Sequence, residues 1–149
     1  MEDKLLLLVE DNPSDEELTL RTLKKHHVAN RVVSVHDGAE ALDFLFCRGA
    51  HAGRNPEDRP QAVLLDLNLP KVDGVEVLRQ MRAHESTRYV PVVVLTSSDE
   101  ERDMVRSYGA GANSFVRKPV EFSAFAEAVR DVGLYWLLLN RPPPPASPE

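Results

Sequence analysis

Five residues stand where an apolar run stops and chemistry could begin. "LLLLV" ends on Glu10 and Asp11, "AVLL" on Asp66, "VPVVVL" on Thr96 and "NSFVR" on Lys118. Three carboxylates brought together repel one another, so their ionisation is disfavoured unless a cation sits among them. Mg²⁺ suits such a set, because it is hard, takes oxygen ligands in an octahedron, and is held by one or two carboxylates with waters and phosphate oxygens. The ammonium of Lys118 adds a second positive charge, so the site is suited to hold an anion beyond its own carboxylates. Aspartate is a nucleophile toward phosphorus, and phosphoryl transfer then needs mainly positioning and charge neutralisation. A phosphoryl group on Asp66 meets that description. A lone strand-end acid is as often a helix N-cap or a solvated turn residue. Lys118 alone could be a surface lysine and Thr96 alone an N-cap. The joint placement carries the reading.

The elements that must position these residues alternate along the chain. Apolar runs at 4–9, 31–35, 62–65, 90–96 and 113–119 read as strands, and amphipathic stretches at 12–27, 37–46, 72–85, 98–112 and 121–139 as helices. Pro13 suits a first helical turn, Asp15, Glu16 and Glu17 favour its positive end, and Lys24 and Lys25 its negative end. Inward faces are expected at Leu18, Leu20 and Leu23; at Ala41, Leu42, Leu45 and Phe46; at Val75, Val77, Leu78 and Met81; and at Phe122, Phe125, Val129 and Val132. Residues 48–61 read as a long loop and 140–149 as a proline-rich, disordered tail. Five strand–helix repeats predict an α/β fold of flavodoxin-like type with a parallel sheet. Strand order 2-1-3-4-5 would bring Glu10, Asp11 and Asp66 to one rim, where such sheets bind ligands.

The 149 residues suit one domain, residues 1–139, with a real core, and 42% hydrophobic content excludes a chain disordered throughout. A formal net charge of −6 argues against a binder of nucleic acid. No apolar run approaches the ~20 residues of a membrane span, and the start "MEDK" does not read as a signal peptide. Cys47, the one cysteine, reads as a small buried residue late in the second helix, and a cytoplasmic setting is expected.

"VEDN" (9–12), "LLDLNLPKVDG" (64–74), "VVVLTSS" (92–98) and "FVRKP" (115–119), in this order and spacing, resemble the response-regulator receiver domains of two-component signalling. The resemblance spans residues 4–139. It implies that Asp66 accepts a phosphoryl group from a phosphohistidine of a sensor histidine kinase. It further implies that Asp11 ligates Mg²⁺ (or Mn²⁺) directly, Glu10 through a metal-bound water, and Asn68 through its backbone carbonyl. Thr96 would hydrogen-bond one phosphoryl oxygen and Lys118 pair with another. Phe115 matches the aromatic switch position without the hydroxyl of the tyrosine common there, and Ser97 stands where many relatives have alanine. The loop before the third strand, "GANSFVRKPVEF" and the late aromatic pair are similar to the single-domain regulators paired with bacterial and cyanobacterial phytochrome kinases.

Output is then expected through the surface of helix 4, strand 5 and helix 5, with at most slow loss of the phosphoryl group rather than enzyme turnover. A helix cannot turn all of "LYWLLL" (134–139) inward, so some of Tyr135, Trp136, Leu138 and Leu139 should be exposed, and a homodimer through helix 5 is expected. Two rival readings remain. A haloacid-dehalogenase-type phosphatase also uses a strand-end aspartate with Mg²⁺, but needs an acid where this chain has Asn68. A receiver-like module that is never phosphorylated would not need all five rim residues.

Overall fold

The computed structural model describes residues 4–27, 31–98 and 100–143. Strands β1 (Leu5–Val9), β2 (Arg31–Val35), β3 (Ala62–Leu65), β4 (Val92–Thr96) and β5 (Ser114–Arg117) alternate with helices α1 (Pro13–Lys25), α2 (Gly38–Leu45), α3 (Gly74–Ala83), α4 (Glu101–Gly109) and α5 (Phe122–Gly133). The sheet is parallel throughout, in the order β2-β1-β3-β4-β5. Its three central strands are buried along their whole length, which is why they read as continuous apolar runs. Alternate side chains point to opposite faces. Leu5, Leu7, Val9, Val63 and Leu65 pack against α2 and α3, while Leu6, Leu8, Leu64, Val93 and Leu95 pack against α1 and α5.

Local signals start the helices at the rim. The Asn12 side chain accepts from the backbone N–H groups of Ser14 and Asp15 at 2.9 and 3.1 Å, with Pro13 at the first helical position. Asp37 and Asp73 cap α2 and α3 in the same way. Thr19 and Thr22 are buried in α1, their hydroxyls donating to carbonyls one turn back, while Leu18 and Leu20 are only half-buried.

Gly74 fixes how the β3–α3 loop folds back. A Cβ there would lie 2.5 Å from the Asp66 carbonyl oxygen and 2.8 Å from the Leu67 Cα. Both are backbone atoms next to Asp66, so they cannot swing aside. Gly74→Ala should therefore destabilise the protein by about 2–4 kcal/mol. A denaturant midpoint unchanged from wild type would contradict this.

Several expectations need correction. Phe122 does not face the sheet; it is 63% exposed at the start of α5, and Phe125 and Val129 take the inward positions. Cys47 lies beyond α2, half-buried, with φ +54°. There Cys47 N–H donates to Phe44 O and Arg48 N–H to Asp43 O, the paired bonds of a left-handed helix stop. The segment 48–61 is a long loop, as expected, but an ordered one. It opens with a 3₁₀ turn, Gly49–His51; Arg54 lies 3.7 Å over the Phe44 ring and donates to Phe44 O, and Asp58 accepts two bonds from Arg31. Helix α4 begins at Glu101, three residues later than expected. The last helix changes character at Leu134. Residues Leu134–Leu139 form a wider π-helical turn in which Asn140 N–H donates to Tyr135 O. Lys4 Nζ donates to Leu137 O at 2.7 Å. Leu137 is buried, Trp136 packs half-buried against the α1–α5 core, and Tyr135, Leu138 and Leu139 are exposed. Residues 144–149 of the expected tail lie outside the described residues.

Candidate functional site

The sheet order places the ends of β1 and β3 side by side. Asp66 N–H donates to Val9 O at 3.1 Å, and Glu10 N–H to Val35 O at 3.0 Å. These bonds continue the ladder to the last strand residues and leave the next side chains at the rim. On the far side Lys118 N–H donates to Thr96 O at 2.7 Å, which anchors the β5 end to β4.

Four of the five rim residues converge. The Lys118 ammonium donates to Glu10 Oε1 at 2.6 Å and to Asp66 Oδ2 at 3.0 Å, with all three side chains buried. Glu10, Asp11 and Asp66 each present a carboxylate oxygen within 4.8 Å of the others, Asp11 from the solvent side. Glu10 Oε2 accepts from Asn12 N–H, and Asp66 Oδ1 from Asn68 N–H at 3.3 Å. Asn68 is exposed on the loop that follows.

Thr96 is fully buried at the end of β4, its hydroxyl oxygen accepting from Ser98 N–H at 3.4 Å. Ser97 beside it is exposed. Phe115, paired with Val94 across the sheet, is half-buried against Leu67, Val75 and Val94. It therefore lies under the rim, not in it. Tyr135, Trp136, Leu138 and Leu139 belong to the α5 extension and join none of these contacts.

A fourth carboxylate was missed. Asp15, assigned above only to the positive end of α1, accepts from Lys118 Nζ at 2.9 Å. Asp15 follows Asp11 by four residues across the capped start of α1, a spacing that could have flagged it.

Burial pushes the Glu10 carboxyl up to about 7; the nearby Asp66 charge adds to this, and the bond from Lys118 opposes it. Burial works against the Lys118 ammonium, but its bonds to Glu10 and Asp15 and the Asp66 charge outweigh it and hold the group above the ordinary lysine value. Among the described residues, the site thus sets one firmly held side-chain cation among four carboxylates. All the acidic donors are hard oxygens, one of them open to solvent, and the donor set fits a small divalent ion.

The family model for the response regulator receiver domain matches residues 6–130. The chain belongs to this family. The receiver is 42% identical over 142 residues to the probable methanogenesis regulatory protein FilR2 of Methanothrix harundinacea, covering 95% of this chain and 89% of that protein. It is 35% identical to the response regulator Rcp1 of Synechocystis sp., covering 90% of this chain and 89% of Rcp1. Among solved structures, the phosphorylated cyanobacterial phytochrome response regulator RcpA superposes with a TM-score of 0.89 at 36% identity, covering 96% of this receiver and all of RcpA. The Mn²⁺-bound form of Rcp1 gives 0.87 at 34% identity, covering 95% of this receiver and 99% of that chain. The bacteriophytochrome response regulator AtBRR gives 0.73 at 54% identity, covering 95% of this receiver and 100% of that chain. The receiver therefore has the flavodoxin-like fold and sheet order expected from its sequence. No described helix is long and apolar enough to cross a membrane.

Proposed function

We propose that this receiver is a single-domain response regulator that takes a phosphoryl group from a phosphohistidine of a sensor histidine kinase onto Asp66. The observation that carries this reading is the buried Lys118 ammonium shared by Glu10 and Asp66, with the Asp11 carboxylate beside them. Glu10, Asp11, Asp66 and the Asn68 carbonyl would hold Mg²⁺ or Mn²⁺, in keeping with the Mn²⁺-bound form of Rcp1. The ion, when bound, supplies positive charge that offsets the transferring phosphoryl oxygens. The chain's own residues do the rest. An Asp66 oxygen attacks phosphorus, the P–N bond breaks, and the departing imidazole keeps the electron pair and takes a proton from solvent. Lys118 neutralises a phosphoryl oxygen. Thr96 turns its hydroxyl toward another, and Phe115 moves into the space it leaves. The α4–β5–α5 surface changes with them, a two-state element biased by a local charge. Slow hydrolysis of the acyl phosphate resets the switch.

The relatives named for phytochrome signalling support a bacteriophytochrome kinase as donor over unrelated sensor kinases. Phosphotransfer profiling decides between them. Rapid labelling by a phytochrome kinase, against slow labelling by unrelated kinases, is expected; equal labelling by all would remove the assignment. The reading places residues 1–139 in one receiver unit, with 140–149 as an appended tail, in the cytoplasm and without nucleic-acid or membrane contact.

Metal binding should depend on pH. Ionised Glu10 is needed for the site, and its carboxyl titrates at about 7 in the metal-free protein. Mg²⁺ must displace that proton, so apparent affinity rises with pH, about tenfold per unit below 7, and levels off above it. Fluorescence or calorimetric titrations at pH 6 and pH 8 test this. Equal affinity at both would mean Glu10 has no part in holding the ion.

The exposed Tyr135, Leu138 and Leu139 support a homodimer through the α5 extension. Sedimentation across a concentration series should show dimers. Replacing Leu138 and Leu139 with Ser should shift the equilibrium toward monomer by roughly tenfold or more. Monomer alone in both phosphorylation states would end this part of the proposal.

A further inference from the structure

An ammonium has three N–H donors and no more. In this receiver Lys118 directs bonds to three acceptors: Glu10 at 2.6 Å, Asp15 at 2.9 Å and Asp66 at 3.0 Å. A phosphoryl oxygen can be neutralised by Lys118 only if one of these bonds is given up. Glu10 is the costlier one to lose, because its bond is the shortest of the three and its side chain is 3% exposed, so bulk solvent does not take the bond over. Asp66 carries the incoming group itself. Asp15 differs from both. Its side chain is 29% exposed, it stands on the first turn of α1 at the solvent side, and it lies outside the three-carboxylate metal cluster. A carboxylate there is rehydrated at little cost when its partner leaves.

From this geometry we infer that Asp15 is a positioning residue that competes with the phosphoryl group for Lys118. In the resting receiver it occupies one of the ammonium's three N–H groups, beside the bonds to Glu10 and Asp66. On phosphorylation it releases the ammonium to the new anion, and in the reverse direction it draws the ammonium back. Asp15 therefore shortens the life of the phosphorylated state and lowers its level. Its negative charge acts in the same sense, because a fourth carboxylate close to the site opposes one more anion.

The inference rests on phosphorylation of Asp66 and is tested in the full chain, with acetyl phosphate as donor at saturating Mg²⁺. Asp15→Asn keeps the size of the side chain and the backbone caps but cannot attract the ammonium as a carboxylate does. It should lengthen the phosphoryl half-life and raise the steady-state phosphorylated fraction relative to the unphosphorylated one, each by about two- to tenfold. Asp15→Glu restores the charge and should return both toward wild type, which a purely structural role for Asp15 would not require. A second readout needs neither metal nor phosphoryl group. In chelator-treated protein, a double-mutant cycle of Asp15→Asn and Lys118→Gln on the denaturant midpoint should give a non-zero coupling. An unchanged or shortened half-life in Asp15→Asn overturns the inference, as does zero coupling in the cycle. If wild type itself takes no label under these conditions, the assignment of Asp66 fails and this inference with it. If wild type is labelled and Asp15→Asn matches it, only the role of Asp15 fails.

Discussion

Asp66→Asn should abolish phosphoryl uptake. The amide is nearly isosteric but is not a nucleophile toward phosphorus, so the rate should fall at least about 10³-fold, equivalent to about 4 kcal/mol of barrier. The fold should survive. Asp66 sits at the end of a buried strand, its backbone N–H still bonds to Val9 O, and an Asn side-chain oxygen can still accept from Lys118 or Asn68. Removing its charge also relieves repulsion with Glu10, to whose raised titration it contributes. The metal-free variant should therefore melt no lower than wild type. Radiolabel or intact-mass assays with acetyl phosphate read the first outcome and thermal melting the second. Undiminished labelling would show that another residue accepts the group.

Lys118→Met should have the largest effect on stability of the metal-free protein. The lysine stem is replaced by a side chain of similar length, but Glu10 and Asp66 lose the charge that compensates them in a buried place. Their side chains are 3% and 7% exposed, so solvent screens little. Stripping one partner from a buried ion cluster costs about 3–5 kcal/mol. Glu10 limits the loss by taking up a proton. With its carboxyl already raised in the wild type, removal of Lys118 raises it further, so the variant's Glu10 is neutral at pH 6 and increasingly forced to ionise at pH 8. The folded variant binds this proton more tightly than the unfolded chain, so its stability falls as pH rises through that range. The deficit against wild type should thus be larger at pH 8 than at pH 6, and Mg²⁺ should recover part of it. A deficit independent of pH would mean that the lost packing of the lysine stem, not unpaired charge, accounts for it.

The sequence makes some features plain and hides others for physical reasons. Buried parallel strands leave unbroken apolar runs, so the residues that end them are visible as interruptions, and Glu10, Asp11, Asp66 and Lys118 meet as the strand order requires. Thr96 and Phe115 fall on β4 and β5 as expected, one at the rim and one beneath it. Asp15 stayed hidden because an acid in a first helical turn has a sufficient local explanation in the helix dipole. Its bond to Lys118 spans 103 residues and no local pattern carries it. Helical spacing ranks Phe122 equally with Phe125, but Phe122 is the first residue of α5 and stays exposed while Phe125, one turn on, is buried. The order in 48–61 depends on Arg54 and on the Arg31–Asp58 pair, charged groups that in sequence look like solvated surface. The π-helical turn at Leu134–Leu139 has no signature in an apolar run that any helix could carry.

The most direct test of the central claim is to locate the phosphoryl group chemically. The receiver is phosphorylated by acetyl phosphate or a cognate kinase in the presence of Mg²⁺. The acyl phosphate is then reduced with borohydride, which converts a phosphorylated aspartate to homoserine, and the peptides are sequenced by mass spectrometry. Homoserine at position 66 alone is the expected result. Label on a histidine, on Ser97 or Ser98, or on any other acid while Asp66 stays unmodified would contradict the account.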